Sequence, residues 1–78
     1  MTESEKKLIS IFHEISDNRN KIKIDLETKI SDMGLDSLDV LDIIMRIQRE
    51  LDVDIPILNF SMCKNVMDIN QEVINARK

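Results

Sequence analysis

Between Asp36 and Leu51 the chain carries Leu38, Val40, Leu41, Ile43, Ile44, Met45, Ile47 and Leu51, interrupted by a single stripe of polar residues. Stepping by about 100° per residue gathers Asp39, Asp42, Arg46, Arg49 and Glu50 into that stripe. The apolar residues take the rest of the circumference, far more than one buried face requires. Any fold of this chain must either wrap the segment on most sides or leave part of the arc for a partner. Val40, Ile43, Ile44, Ile47 and Leu51 lie at the centre of the arc and are the expected core. Leu38, Leu41 and Met45 lie at its border with the polar stripe and are the expected contact residues.

The start of this helix is well marked. Met33-Gly34-Leu35-Asp36-Ser37-Leu38-Asp39 places the only glycine just ahead of Asp36, a good N-cap, with Asp39 in the first turn. The helix is therefore expected over 37–51. It presents the Ser37 hydroxyl at its positive end, where an attached anion gains about 0.3–1 kcal/mol from the free amides and the macrodipole.

Seventy-eight residues make a single domain, 1–78, close to the lower limit for a core without staples. Ile, Leu, Val and Met supply nearly all of the 42 % hydrophobic content, and one Gly and one Pro are too few for the turns of an all-β fold. The expected class is all-α. Thr2 and Glu5 have capping-box spacing and start a first helix predicted to reach about Ser16, with Leu8, Ile11, Phe12 and Ile15 on its inner face. Asp17-Asn18-Arg19-Asn20 reads as the turn that ends it. From Lys21 to Leu35, Ile22, Ile24 and Leu26 alternate as a strand would, but no second run exists to pair with them. An extended, ordered loop is expected, pinned by those side chains and plugged by Ile30 and Met33; loops this long are uncommon and usually functional.

Ile55-Pro56 ends the second helix, since the residue before proline avoids the α region. A short third helix is predicted over 59–64, with Phe60 and Cys63 turned inward. Asn65 caps a fourth, with Asp68 in its first turn and Val66, Ile69, Val73 and Ala76 on its buried face. The expected architecture is a small four-helix bundle, three principal helices and one short one, with a long loop between helices one and two.

The net charge is −4, and the residues from Asp25 to Asp54 contribute nine acidic side chains against three basic ones, a balance of −6. Such a patch repels nucleic acid and anionic lipid and favours basic protein surfaces. Cys63 is the only cysteine, so neither an internal disulfide nor a cysteine-based metal site is expected. No apolar run is long enough to span a membrane, and the first residues lack a signal-peptide core, so a reducing cytoplasm is the expected compartment. Catalytic readings fail on inventory. His13 is the only histidine and no glycines could shape an oxyanion hole, which excludes a serine hydrolase. Asp52 and Asp54 lack the central Gly and closing Glu of an EF-hand.

Gly34-Leu35-Asp36-Ser37-Leu38, the amphipathic helix behind it, the stretch from Asp25 to Asp32 and the later Asp54-Ile55-Pro56 together resemble the acyl carrier protein family, over nearly the whole chain. The resemblance implies a non-catalytic carrier of fatty-acid, polyketide or related specialised acyl synthesis. Ser37 would receive 4′-phosphopantetheine from coenzyme A through a phosphopantetheinyl transferase. Asp36 would help that transferase and its divalent metal engage the site. The arm's thiol would hold acyl groups as thioesters, at high effective concentration beside each partner enzyme. Leu38, Asp39, Leu41, Asp42, Met45, Arg46 and Arg49 would face those acyl-loading and acyl-processing enzymes, read by their basic patches, with the carrier acting as a monomer.

One departure from the family pattern stands out. Arg46, Gln48 and Arg49 occupy the distal half of a helix that usually stays acidic, and Ile57-Leu58-Asn59-Phe60 is more apolar than usual. Intrahelical pairing of Asp42 with Arg46 and of Arg46 with Glu50 would account for the arginine locally, and an altered partner set would account for it functionally. Two other functions compete with acyl carriage: a carrier of aminoacyl, aryl or peptidyl cargo served by an adenylating enzyme, and an unmodified helical interaction module in which Ser37 is only helix-start chemistry.

Overall fold

The computed structural model describes residues 2–20 and 23–77, and four α-helices order them: α1 (Glu3–Asn20), α2 (Ser37–Leu51), α3 (Ile57–Ser61) and α4 (Val66–Ala76). Packing of α1 on α2 and α4, and of α3 on α4, makes the expected all-α bundle. Leu8, Ile11 and Phe12 of α1, Ile43, Ile44, Ile47 and Leu51 of α2, Phe60 of α3 and Val66, Ile69 and Val73 of α4 fill one core. Ile15 and Val40 pack against it half-buried. None of the described helices is long and apolar enough to cross a membrane.

The caps are local and form as the sequence implies. Thr2 N–H donates to Glu5 Oε1 (2.7 Å) and Glu5 N–H to Thr2 Oγ1 (3.2 Å), closing the box at the head of α1. Asp68 N–H donates to Asn65 Oδ1 (2.9 Å) at the head of α4. Helix α1 nevertheless runs one turn past Ser16, to Asn20. Asp and Asn are weak helix formers and Arg a good one, and none carries an obligatory break, the weak ones costing at most about 0.7 kcal/mol each relative to alanine, unlike glycine or proline. The third helix starts two residues earlier than predicted and ends three earlier, because Pro56, at φ −58°, serves as its N-cap and the helix begins at once. Ala76 is exposed: the last turn of α4 overreaches the core and lines an open cleft with Ile55 and Pro56. The buried face of α4 holds Asn70 in addition to Val66, Ile69 and Val73, a residue whose polarity hid it from the apolar pattern.

The long loop is ordered in a way its composition did not announce. Ile22 lies outside the described residues, but Ile24 is buried and Leu26 packs on the core. Residues 30–33 close into a 3₁₀ turn that buries Met33 completely, so the segment is not extended throughout. Pairing, too, is found without a second apolar run. Ile30 N–H donates to Lys64 O (2.9 Å), Val66 N–H to Thr28 O (3.3 Å) and Met67 N–H to Leu26 O (2.9 Å). Lys29 and Asn65 form an antiparallel bridge there. The loop is thus laced to the α3–α4 connection by backbone groups, which satisfies its own amides next to the core.

Candidate functional site

Three consecutive restraints deliver Ser37 to the surface. Met33 is locked in the core and Leu35 packs against it, while Gly34 between them adopts φ 66°, ψ 31°. That left-handed conformation is the one a side chain would penalise, and it turns the chain from the 3₁₀ turn into α2. Asp36 then takes an extended conformation, φ −94°, ψ −179°, as N-cap.

At the head of α2 two carboxylates cap reciprocally. Asp39 N–H donates to Asp36 Oδ1 (2.9 Å) and Asp36 N–H donates to Asp39 Oδ2 (3.2 Å). The sequence placed each acid favourably but did not anticipate that Asp39 would close the box. Val40 N–H donates to Asp36 O (3.1 Å), so the early amides without an intrahelical partner are those of Ser37 and Leu38. Ser37 is exposed, and its hydroxyl makes no hydrogen bond to a described residue. Three other serines differ: Ser16 Oγ is buried and donates to Phe12 O (2.7 Å), Ser4 Oγ is buried against Asn70, and Ser61 Oγ donates to Leu58 O (2.7 Å). Ser10 and Ser31 are exposed as Ser37 is, but neither follows an N-cap at the head of an α-helix. Ser37 therefore offers a free hydroxyl in a rigid frame beside unpaired amide donors. A phosphodiester fits such a setting.

Behind Ser37, α2 exposes the border residues as expected: Leu38 is 75 %, Leu41 46 % and Met45 63 % exposed. Asp39 is half-buried, and Asp42 and Arg49 are exposed. Arg46 departs from expectation. It pairs with Glu50 on its own helix (3.1 Å) and reaches across to Glu14 of α1 (2.6 Å), and no pair with Asp42 forms among the described residues. The Glu14 hydrogen bond comes first among the causes that hold the guanidinium's pKa up, partly opposed by desolvation. A carboxylate 32 residues away thus claims the side chain that local spacing assigned to Asp42. Nothing in the helix period of α2 could have revealed it. The consequence is that Asp42, one turn beyond Leu38, has no ion-pair partner among the described residues.

His13 is exposed on α1. Cys63 is half-buried, its Sγ 3.4 Å from Asn59 O, and burial first, then Glu72 and Asp68, push its thiol up to about 11.

This fold and this helix start define a class, and the comparisons agree with it. The chain belongs to the phosphopantetheine attachment-site family, whose model matches residues 6–73, from the first turn of α1 to the buried face of α4. A relative is the acyl carrier protein of Rickettsia bellii, 38 % identical over 69 residues that cover 83 % of this chain and 80 % of that protein. No solved structure matches. The cofactor is accordingly phosphopantetheine, and the role is that of a carrier.

Proposed function

We propose that Ser37 is the attachment point of 4′-phosphopantetheine and that the protein carries acyl groups between enzymes. The observation that carries this reading is the exposed, unbonded Ser37 hydroxyl, set between two mutually capped aspartates at the head of α2. When bound, the arm supplies a flexible thiol on which acyl cargo is held as a thioester. The chain's own residues do the rest. The Ser37 and Leu38 amides would be available to the phosphate, and Gly34, Met33 and Leu35 fix where the hydroxyl emerges. Asp36 has two tasks, capping α2 and engaging the metal of the phosphopantetheinyl transferase.

Leu38, Leu41 and Met45 form the apolar part of the partner surface, and Asp39 and Asp42 its acidic part, which suits enzymes with basic patches. Arg49, exposed, interrupts that acidity in the distal half of α2, where Arg46 is bound to Glu14 and Glu50. This favours enzymes of a dedicated acyl pathway over those of general fatty-acid synthesis. A carrier whose one native thiol is half-buried suits the reducing cytoplasm.

Incubation with coenzyme A and a broad-specificity phosphopantetheinyl transferase should raise the intact mass by one arm, and Ser37→Ala should abolish the gain. An unchanged wild-type mass overturns the reading. Intact mass of protein purified from its own host then identifies the cargo, separating acyl from aminoacyl or aryl groups.

A further inference from the structure

The longest stretch without an ionisable carboxylate, amine or guanidinium runs from Ile55 to Cys63, in a chain of which 33 % is charged. Two of its residues, Ile55 and Phe60, are buried and hold α3 to the core. Phe60 fixes the orientation of the rest. Leu58 and Met62 are i and i+4 neighbours, and helical geometry sets both on the side opposite Phe60. They are 76 % and 78 % exposed, a pair of large apolar side chains displayed together in water.

Met62 also rims an open groove of about 490 Å³ between α3 and α4, lined further by Asn59, Cys63, Asp68, Gln71 and Glu72. Its wall is acidic. Asp68 Oδ2 accepts Lys64 N–H and Glu72 Oε1 accepts Asn59 Nδ2, both at 2.9 Å. The second oxygen of each carboxylate makes no hydrogen bond to a described residue, and no basic side chain lines the groove. Both carboxylates bear on the Cys63 thiol, so their field reaches the groove floor.

We propose that the α3–α4 groove is a second protein-docking surface, built from residues other than those of the α2 face. Its occupant is a partner segment that presents an apolar side chain beside an arginine or lysine. The apolar side chain covers Leu58 and Met62 without desolvating any charge, and the cation meets the free oxygens of Asp68 and Glu72. The same charges speak against other occupants. An anionic bilayer is repelled by the acidic wall, and a second copy would set one acidic groove against another. The surface does not involve the arm, so it stands or falls independently of the role of Ser37.

The test is an amide chemical-shift titration of the isotope-labelled full chain with a synthetic peptide alternating leucine and arginine. Shifts are expected at residues 58–63 and 68–72. The L58Q/M62Q double variant should bind at least about tenfold more weakly, and D68N/E72Q about fivefold; Leu58, Met62 and Asp68 are exposed, Glu72 is half-buried, and none of the four belongs to the core. Peptides with glutamate for arginine, or serine for leucine, should lose binding, while S37A should bind as the wild type does. Four results overturn the proposal: shifts centred on the acids of α2, undiminished binding by either double variant, equal binding of the serine-substituted peptide, or self-association abolished by L58Q/M62Q in place of peptide binding. Attachment of the protein to phosphatidylcholine vesicles through α3 overturns it as well.

Discussion

Asp36 and Asp39 each accept the other's backbone N–H, at 2.9 and 3.2 Å, with Ser37 between them. Because the two bonds are reciprocal, either carboxylate alone leaves an amide unsatisfied at the head of α2. Asp36→Ala is therefore expected to cost about 1 kcal/mol in urea unfolding, and Asp36→Asn, which keeps an acceptor, much less. If Asp36 also engages the transferase metal, both variants should slow arm addition by about 10-fold or more, as loss of a metal-site carboxylate does. Recovery of the rate in Asp36→Asn would reduce Asp36 to a cap. Ser37→Ala should shift stability by less than about 0.5 kcal/mol while ending arm addition.

Asp42 is exposed and lacks the arginine partner that its spacing to Arg46 suggests. Its charge is thus available for steering. Asp42→Lys should lower the association rate with the transferase by about tenfold at low salt, against less than about twofold for Glu3→Lys, and the difference should shrink as salt rises. Stopped-flow binding at several ionic strengths checks this, and equal effects at the two positions would refute steering by α2. Asp39 is the poorer probe, since reversing it also breaks the cap.

Ser4 Oγ donates to Asn70 Oδ1 at 3.1 Å, a buried polar contact between the first turn of α1 and the middle of α4. Asn70→Ala removes the acceptor on α4 and leaves the Ser4 hydroxyl only its contact with Thr2 Oγ1 (3.3 Å), so it should cost about 1 kcal/mol in urea unfolding. Gln71→Ala, one residue on and exposed, should stay within about 0.5 kcal/mol.

Burial, with Glu72 and Asp68 as neighbours, raises the Cys63 thiol to about 11. At pH 8 only about one molecule in a thousand then carries a thiolate, so alkylation by iodoacetamide should be slow. The D68N/E72Q variant should react faster. The sign of the stability effect follows from linkage. The native thiol holds its proton more tightly than the unfolded one, so this contribution is present below the ordinary thiol range and is lost as pH rises towards about 11. Cys63→Ala should flatten that alkaline decline in a pH series of unfolding curves.

Much of this molecule is readable within windows of a few residues. The boxes of Thr2 with Glu5 and the cap of Asn65 on Asp68 join residues three apart, so spacing alone predicts them. The inner faces of α1 and α2 follow from the helix period in the same way, and so does the exposure of Leu38, Leu41 and Met45. Ser37 stands out on the same local grounds, as a hydroxyl after an N-cap. Sequence and structure diverge where no strong local signal competes. Asp17 to Asn20 could be turn or helix, and the uncharged stretch after Pro56 could start α3 at either of two places.

Residue order is enough to specify the class of fold, the head of α2 and the serine presented there, because caps and periodicity are short-range and carry their own energetics. Helix packing sets the rest: Arg46 turns to Glu14, Asn70 meets Ser4, and Leu26, Thr28 and Lys64 lace the long loop to the head of α4. Those contacts join residues distant in the chain, and several use backbone groups that every residue type shares. Their partners depend on how the helices pack, and no residue pattern encodes them. The Leu58–Met62 pair belongs to the same category: its exposure follows from Phe60 entering the core, which α3 learns only from the helices around it.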